Sequence, residues 1–268
     1  MALYLFSLRT IGRGQGRSAV GAAAYRSGEQ LKNERDGKIY DFTYRKDIVH
    51  TEILLPNKSP PDFSDRKTLW NIVEQTENRR DSRLAKEVLV ALPRELALET
   101  SITLVQNFVK ENFVSLGMCA DVAIHIGHCK DSPYIEADHD NIPLHNPHGH
   151  IMLTDRPVDR EGFHLKKNPS WNAKHQLIEW REQWAAAQNK MFQRKGLSAR
   201  VSHESYKKRG INREPSIHLG PTLSALERNG RKTMLGNKNR DIEARNKEHD
   251  KRQHELEFIN EKELEMSR

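Results

Sequence analysis

Cysteine is almost missing from this chain of 268 residues, which has only Cys119 and Cys129. Two isolated thiols cannot build the multi-bridge framework of a small secreted protein, and they suit a reducing compartment better. A zinc site on Cys119, Cys129 and His128 lacks the CxxC spacing such sites use, so two unrelated thiols are expected. Long apolar runs are also lacking: the opening stretch, Met1 to Gly14, is too short for a membrane helix and has neither the basic leader nor the cleavage pattern of a signal peptide. The protein is therefore expected in the cytoplasm, with no membrane insertion. No GxxxxGK[ST] phosphate loop occurs, which argues against nucleotide hydrolysis of that type. Internal repeats are not visible.

Charge is plentiful instead. Lys and Arg number 44 against 37 Asp and Glu, giving a net charge of +7, and charged residues make up 30% of the chain. A basic balance of this size favours a polyanionic partner such as nucleic acid but does not by itself establish one. The excess is unevenly spread. From Thr222 onward there are eleven basic and ten acidic residues, so nearly all the surplus belongs to residues 1–221. This change of composition predicts a core domain over residues 1–221 and a charged, helical or linker-like tail over 222–268.

Within the core, alternating apolar positions predict strands at Tyr4–Ile11, Ile48–Leu55, Ala85–Leu92, Ala120–Ile126 and His148–Thr154. Helical periodicity appears at Asp65–Thr76, Leu96–Leu116 and Asn172–Lys195, the last with Leu177, Trp180, Trp184 and Met191 on one stripe. Ser18 is a candidate N-cap for an alanine-rich helix carrying Tyr25. Strands mixed with helices in this way indicate an α+β domain.

The sharpest local pattern is Asn146-Pro-His148-Gly-His150-Ile-Met-Leu-Thr154. Histidines at i and i+2 of a strand share a face about 7 Å apart, and their rings can converge on one ion. His125 lies in the preceding strand and completes a three-imidazole set if the two strands pair antiparallel with matching faces. Three imidazoles with an open position describe a catalytic divalent metal, for which nitrogen ligands favour manganese through zinc over magnesium. Against this stands the plainer possibility of a polar, His-rich surface loop containing His128, His139 and His145.

Tyr25 follows three alanines and precedes Arg26. By position alone, it reads as an ordinary packing residue; small neighbours would, however, let a DNA backbone approach a phenol acting as nucleophile. Three segments, Ser18 to Glu29, Arg83 to Leu96 and Asn146 to Thr154, occur in the order seen in MobA/MobL-type conjugative relaxases, and Gly210 to Pro221 resembles the close of that family's catalytic domain. The resemblance covers residues 1–221. It implies an HUH endonuclease, with a central antiparallel β-sheet flanked by helices, Tyr25 as nucleophile, and His125, His148 and His150 as ligands of a divalent metal ion such as Mn, Mg or Zn. Glu87 falls where the family has a glutamate beside the site, either orienting a metal-binding histidine or assisting proton removal; otherwise it is a solvent-facing strand residue.

The implied function is plasmid mobilisation in a bacterial cytoplasm: nicking of single-stranded DNA at an origin of transfer through a 5′-phosphotyrosyl intermediate, followed by religation, in company with other transfer proteins. Backbone contacts are expected from Arg13, Arg17, Arg26, Arg79, Arg80 and Arg83. Relaxases of this kind commonly continue into further domains. Two departures from the pattern stand out. A longer insert, Cys129 to His145, separates His125 from the paired histidines and makes His128 an alternative ligand, and Gly149 between the pair predicts a less well packed strand. Competing readings are a rolling-circle replication initiator, whose tyrosine normally follows the histidines, a metallohydrolase using a metal-activated water, and a non-catalytic DNA-binding protein with a structural metal.

Overall fold

A computed structural model describes residues 4–126 and 146–266, so His128, Cys129 and the Cys129–His145 insert lie outside the described residues. The chain divides into two compact units, Met1–His203 and Glu204–Arg268. The division falls earlier than the composition change after Pro221. The reason is local: within the second unit, Glu214 accepts from Arg245 and from the Asn246 side chain, and Asn239 brackets the Ile217 backbone. Polar segment 210–217 is thus bonded to the long helix Met234–Met266, which composition does not register.

The first unit carries a five-stranded, wholly antiparallel sheet. Its strands are β1 (Phe6–Gly12), β4 (Ile48–Leu54), β5 (Arg83–Ala91), β6 (Ala120–His125) and β7 (His148–Thr154), in the order β1-β5-β7-β6-β4. A short hairpin, β2 (Gln30–Lys32) with β3 (Ile39–Asp41), and a smaller one, β8 (Val158–Asp159) with β9 (Gly162–Phe163), stand outside it. Helices α1 (Ala19–Ser27) and α2 (Arg66–Thr76) belong to the core on one face, whereas α3 (Leu98–Asn112) and α4 (Lys174–Arg194) belong to the core on the other. The second unit contains α5 (Gly220–Arg228) and the long α6 (Met234–Met266). No helix among the described residues is long and apolar enough to cross a membrane.

Each face buries its own core. Under α3 and α4, Phe108 packs edge-on against Phe113 and Trp184, and Phe113 against Trp180, with ring centroids 5.0–5.5 Å apart. Of the helical stripe expected in α4, Trp180 and Trp184 are fully buried, joined by Phe192, while Leu177 and Met191 are half-buried at its margin. Gly149 points to this face. It does not loosen β7 as expected, because Val90 already fills the space: a Cβ there would meet Val90 Cγ2 at 3.1 Å.

On the opposite face, α2 begins at Asp65, whose carboxylate accepts from the Thr68 amide at 2.9 Å and caps the helix. Buried Asp121 on β6 ties this helix to the sheet: it accepts from Arg66 Nε at 2.9 Å, Arg66 Nη2 at 2.8 Å and Trp70 Nε1 at 2.8 Å. Asp121→Ala would strand a buried guanidinium and an indole N–H. The expected cost is about 3–5 kcal/mol, read as a fall in Tm of roughly 10 °C by thermal unfolding. A change of only a degree or two would mean that the pair contributes little.

Candidate metal centre and nucleophile

The HxH strand β7 sits at the centre of the sheet, and both its neighbours bring side chains to the same face. In the register His125 lies opposite His148 and Ala123 opposite His150 on one side, with Leu89 opposite His150 and Glu87 opposite Met152 on the other. Because antiparallel partners share a face, the three imidazoles converge. Their ring centroids are 5.2 Å (His125–His148), 4.7 Å (His125–His150) and 5.0 Å (His148–His150) apart. One nitrogen from each lies within 4.8 Å of the other two, so a single ion can be shared.

Hydrogen bonds set the tautomers. His148 Nδ1 lies 2.6 Å from the Asn146 carbonyl and His150 Nδ1 lies 2.7 Å from Glu87 Oε1. An oxygen acceptor there requires the proton on Nδ1, which leaves the Nε2 lone pair for a metal. His125 is arranged the other way: its Nε2 donates to the Arg26 carbonyl at 2.8 Å, leaving Nδ1 as the lone-pair atom, 3.4 Å from Arg45 Nη2. Burial, ahead of the repulsion from neighbouring cations, pushes all three pKa values below the usual imidazole range. They are therefore neutral near pH 7, the form in which imidazole ligates a metal. The donor set fits a divalent ion with nitrogen preference.

Glu87 is buried, 7% exposed, and not solvent-facing. Its carboxylate accepts from Arg26 Nε at 2.8 Å as well as from His150. Burial alone would raise its pKa, but the hydrogen bonds from His150 and the nearby Arg26 guanidinium outweigh it and hold the carboxyl down to about 2. So acidic a group is a poor proton acceptor near neutral pH. The geometry favours orientation of His150 over proton removal. Glu87→Gln is expected to weaken Mn²⁺ affinity about 10–100-fold, measured by titration calorimetry; unchanged affinity would remove the carboxylate from any orienting role.

Helix α1 brings Tyr25 alongside. Ser18 caps it, accepting from the Gly21 amide at 3.2 Å, as the sequence suggests, and Glu74 Oε1 accepts from the Ser18 hydroxyl and the Ala19 amide. Ala19, Val20, Ala23 and Ala24 face the core, so the small residues mainly allow α1 to pack closely; Gly21 and Ala22 alone among them line open space with Tyr25. Tyr25 is 44% exposed. The helix end is bound to the metal candidates through the Arg26 carbonyl, which receives His125 Nε2.

Arg45, Asp47 and Phe42 carry no signal in the sequence. Arg45 stacks its guanidinium 4.3 Å from the Tyr25 ring centroid, donates to the Tyr25 carbonyl at 2.7 Å and pairs with buried Asp47 at 2.6 Å. Phe42 meets Tyr25 edge-on at 5.2 Å. None belongs to a motif of recognisable spacing, so only the fold could reveal them.

An open cavity of about 470 Å³ runs between α1, the sheet floor and β3, with Tyr25, Arg26, Glu87 and His150 in its walls. Of the arginines expected to meet DNA, Arg17 and Arg26 line it, although Arg26 is engaged by Glu87. Arg13 is turned inward, donating to Glu74 Oε2 at 2.7 Å and to backbone carbonyls at the end of α2. Arg83 starts β5 six residues before Leu89, about 20 Å along the strand, and lies 3.7 Å from Asp155 in a cluster with Lys86 and Lys167. Arg79 and Arg80 are exposed just ahead of it. The structure does not bring these three to the histidines. Cys119 is buried in the core.

Residues 17–229 match the MobA/MobL family. The chain is 34% identical to the probable conjugal transfer protein TraA of Sinorhizobium fredii, across 85% of this chain and 22% of that protein. It is also 34% identical to the mobilization protein MobL of Acidithiobacillus ferridurans, across 85% of this chain and 64% of that one. It thus spans less than two thirds of either relative. A solved structure described as "Molecular Basis of Vancomycin Resistance Transfer in Staphylococcus aureus" is similar with a TM-score of 0.67 and 31% identity, covering 76% of this chain and 100% of that chain.

Proposed function

The chain belongs to the MobA/MobL family, and on that premise we propose that it nicks one strand of DNA at a plasmid origin of transfer and remains covalently attached to it. The observation that supports this most directly is the joining of nucleophile and metal candidates: Arg26, next to Tyr25, accepts from His125 through its carbonyl, and Tyr25 and His150 line one cavity.

Tyr25 Oη attacks the scissile phosphorus; a P–O bond to the phenol forms as the bond to the 3′ oxygen breaks. The phenol proton passes to solvent, and the leaving oxygen takes one up to become a 3′-hydroxyl. One phosphodiester replaces another, so the reverse attack religates the strand. His125, His148 and His150 would hold a divalent ion, which supplies polarisation of a phosphate oxygen and offsets charge at the phosphate. Glu87 holds His150 in its ligating tautomer and neutralises Arg26. Arg45, stacked on Tyr25 and held by Asp47, fixes the ring beside the histidines. The partner is single-stranded DNA, with other transfer proteins expected around it. The test is a denaturing gel: wild-type chain, Mn²⁺ and single-stranded oligonucleotides tiled across the origin of transfer of the replicon that encodes it should yield a protein band carrying one strand.

A further inference from the structure

Three cations of the cavity remain after the site above is assembled. Arg26 is neutralised by Glu87, but Arg9 on β1, Arg17 ahead of α1 and Lys38 before β3 line the same space, and none of the three forms an ion pair among the described residues. Arg9 is the exposed residue of an otherwise half-buried or buried edge strand, and it stands in register with Glu87 without pairing to it. The far wall is Tyr40 of β3. Its ring lies directly on the helix backbone at Gly21, where a Cβ would come within 2.7 Å of the ring, and Lys38 Nζ sits 4.9 Å from the ring centroid. Tyr40 is thus a fixed aromatic surface, one helical turn from Tyr25 by way of Gly21, with unneutralised cations beside it. At about 470 Å³ the cavity falls within the range of small-ligand pockets, roughly 300–1,000 Å³.

We propose that this cavity is a nucleotide subsite for the strand being cut: a nucleotide flanking the scissile phosphate packs its base against Tyr40, and its backbone phosphate pairs with Arg9 and Arg17. The proposal rests on the strand-nicking reading and adds the residues that grip the substrate. The chemistry matches in both parts. Aromatic platforms hold single-stranded bases without needing base pairing, and arginines take the phosphate charge. Lys38, on a flexible stem, moves from the ring to the backbone as the base arrives. Gly21 is required for the arrangement because any side chain there displaces the Tyr40 ring.

The experiment measures affinity by fluorescence anisotropy in a Tyr25→Phe background, using the oligonucleotide that forms the adduct with the wild-type chain. Tyr40→Ala should weaken binding about 5–100-fold, and the penalty should vanish when an abasic unit occupies one particular position beside the nick. Arg9→Ala combined with Arg17→Ala should reduce the salt slope by about 0.7 for each phosphate no longer neutralised. Tyr40→Leu and Gly21→Ala, each checked by circular dichroism for a native fold, should resemble Tyr40→Ala. An unchanged salt slope in the double arginine variant, or a Tyr40→Ala penalty equal at every abasic position, would overturn the subsite. Neither result touches the nicking reading, which fails separately if the wild-type chain yields no adduct.

Discussion

Replacing Tyr25 with phenylalanine is expected to abolish the covalent protein–DNA product, by at least about 10⁴-fold, because the attacking atom itself is removed. Binding of single-stranded DNA should change by no more than about twofold, since loss of one hydroxyl from an exposed surface ring is a change of roughly 0.5 kcal/mol. The split between the two readouts is what matters. A metal-activated water would go on cutting without Tyr25 and would leave no strand on the protein at any time, whereas a pure binding protein would form no adduct even as wild type. The ring's packing against Phe42 and Arg45 uses the face and edge that phenylalanine retains, so the variant should fold normally. Persistent adduct in Tyr25→Phe would move the nucleophile elsewhere.

His148→Ala combined with His150→Ala should cost about 10³-fold or more in cleavage, the equivalent of losing several kcal/mol of phosphate polarisation. Treatment of the wild-type chain with a chelator should reproduce the loss, and added Mn²⁺ should restore activity to the chelated wild type but not to the double variant. Both substitutions lie on a central strand, yet both side chains are only half-buried and His150 lines the cavity, and Glu87 keeps its Arg26 partner. Far-ultraviolet circular dichroism should therefore stay native. Cleavage that survives both substitutions and chelation would exclude the three-imidazole centre.

Much of this arrangement is readable from one dimension because period and spacing are local properties. All five strands of the main sheet and the helices α2, α3 and α4 fall within a few residues of where alternation and helical stripes place them, and β7 matches at both ends. Ser18 caps α1 because a hydroxyl before an alanine-rich run has one good use there. The hairpin of β2 and β3 is not legible in the same way: its strands are three residues each, too short for alternation to speak. The inward turn of Arg13, expected instead to meet DNA, is hidden for a related reason, since nothing along the chain says that Glu74, 61 residues away, would hold it there.

What the sequence determined by itself was the chemistry available: two histidines forced to one face by the pleat, a third in a neighbouring strand, and a tyrosine on a capped helix. Whether these ever meet depended on strand order. Placing β7 between β5 and β6 delivers His125 from one side and Glu87 from the other, and hydrogen bonds across that sheet then select which nitrogen of each ring is left bare. Strand order and register arise from the burial of two cores on opposite faces, a long-range condition that no local pattern contains, and the same condition sets α1 beside the cluster and Tyr40 against Gly21.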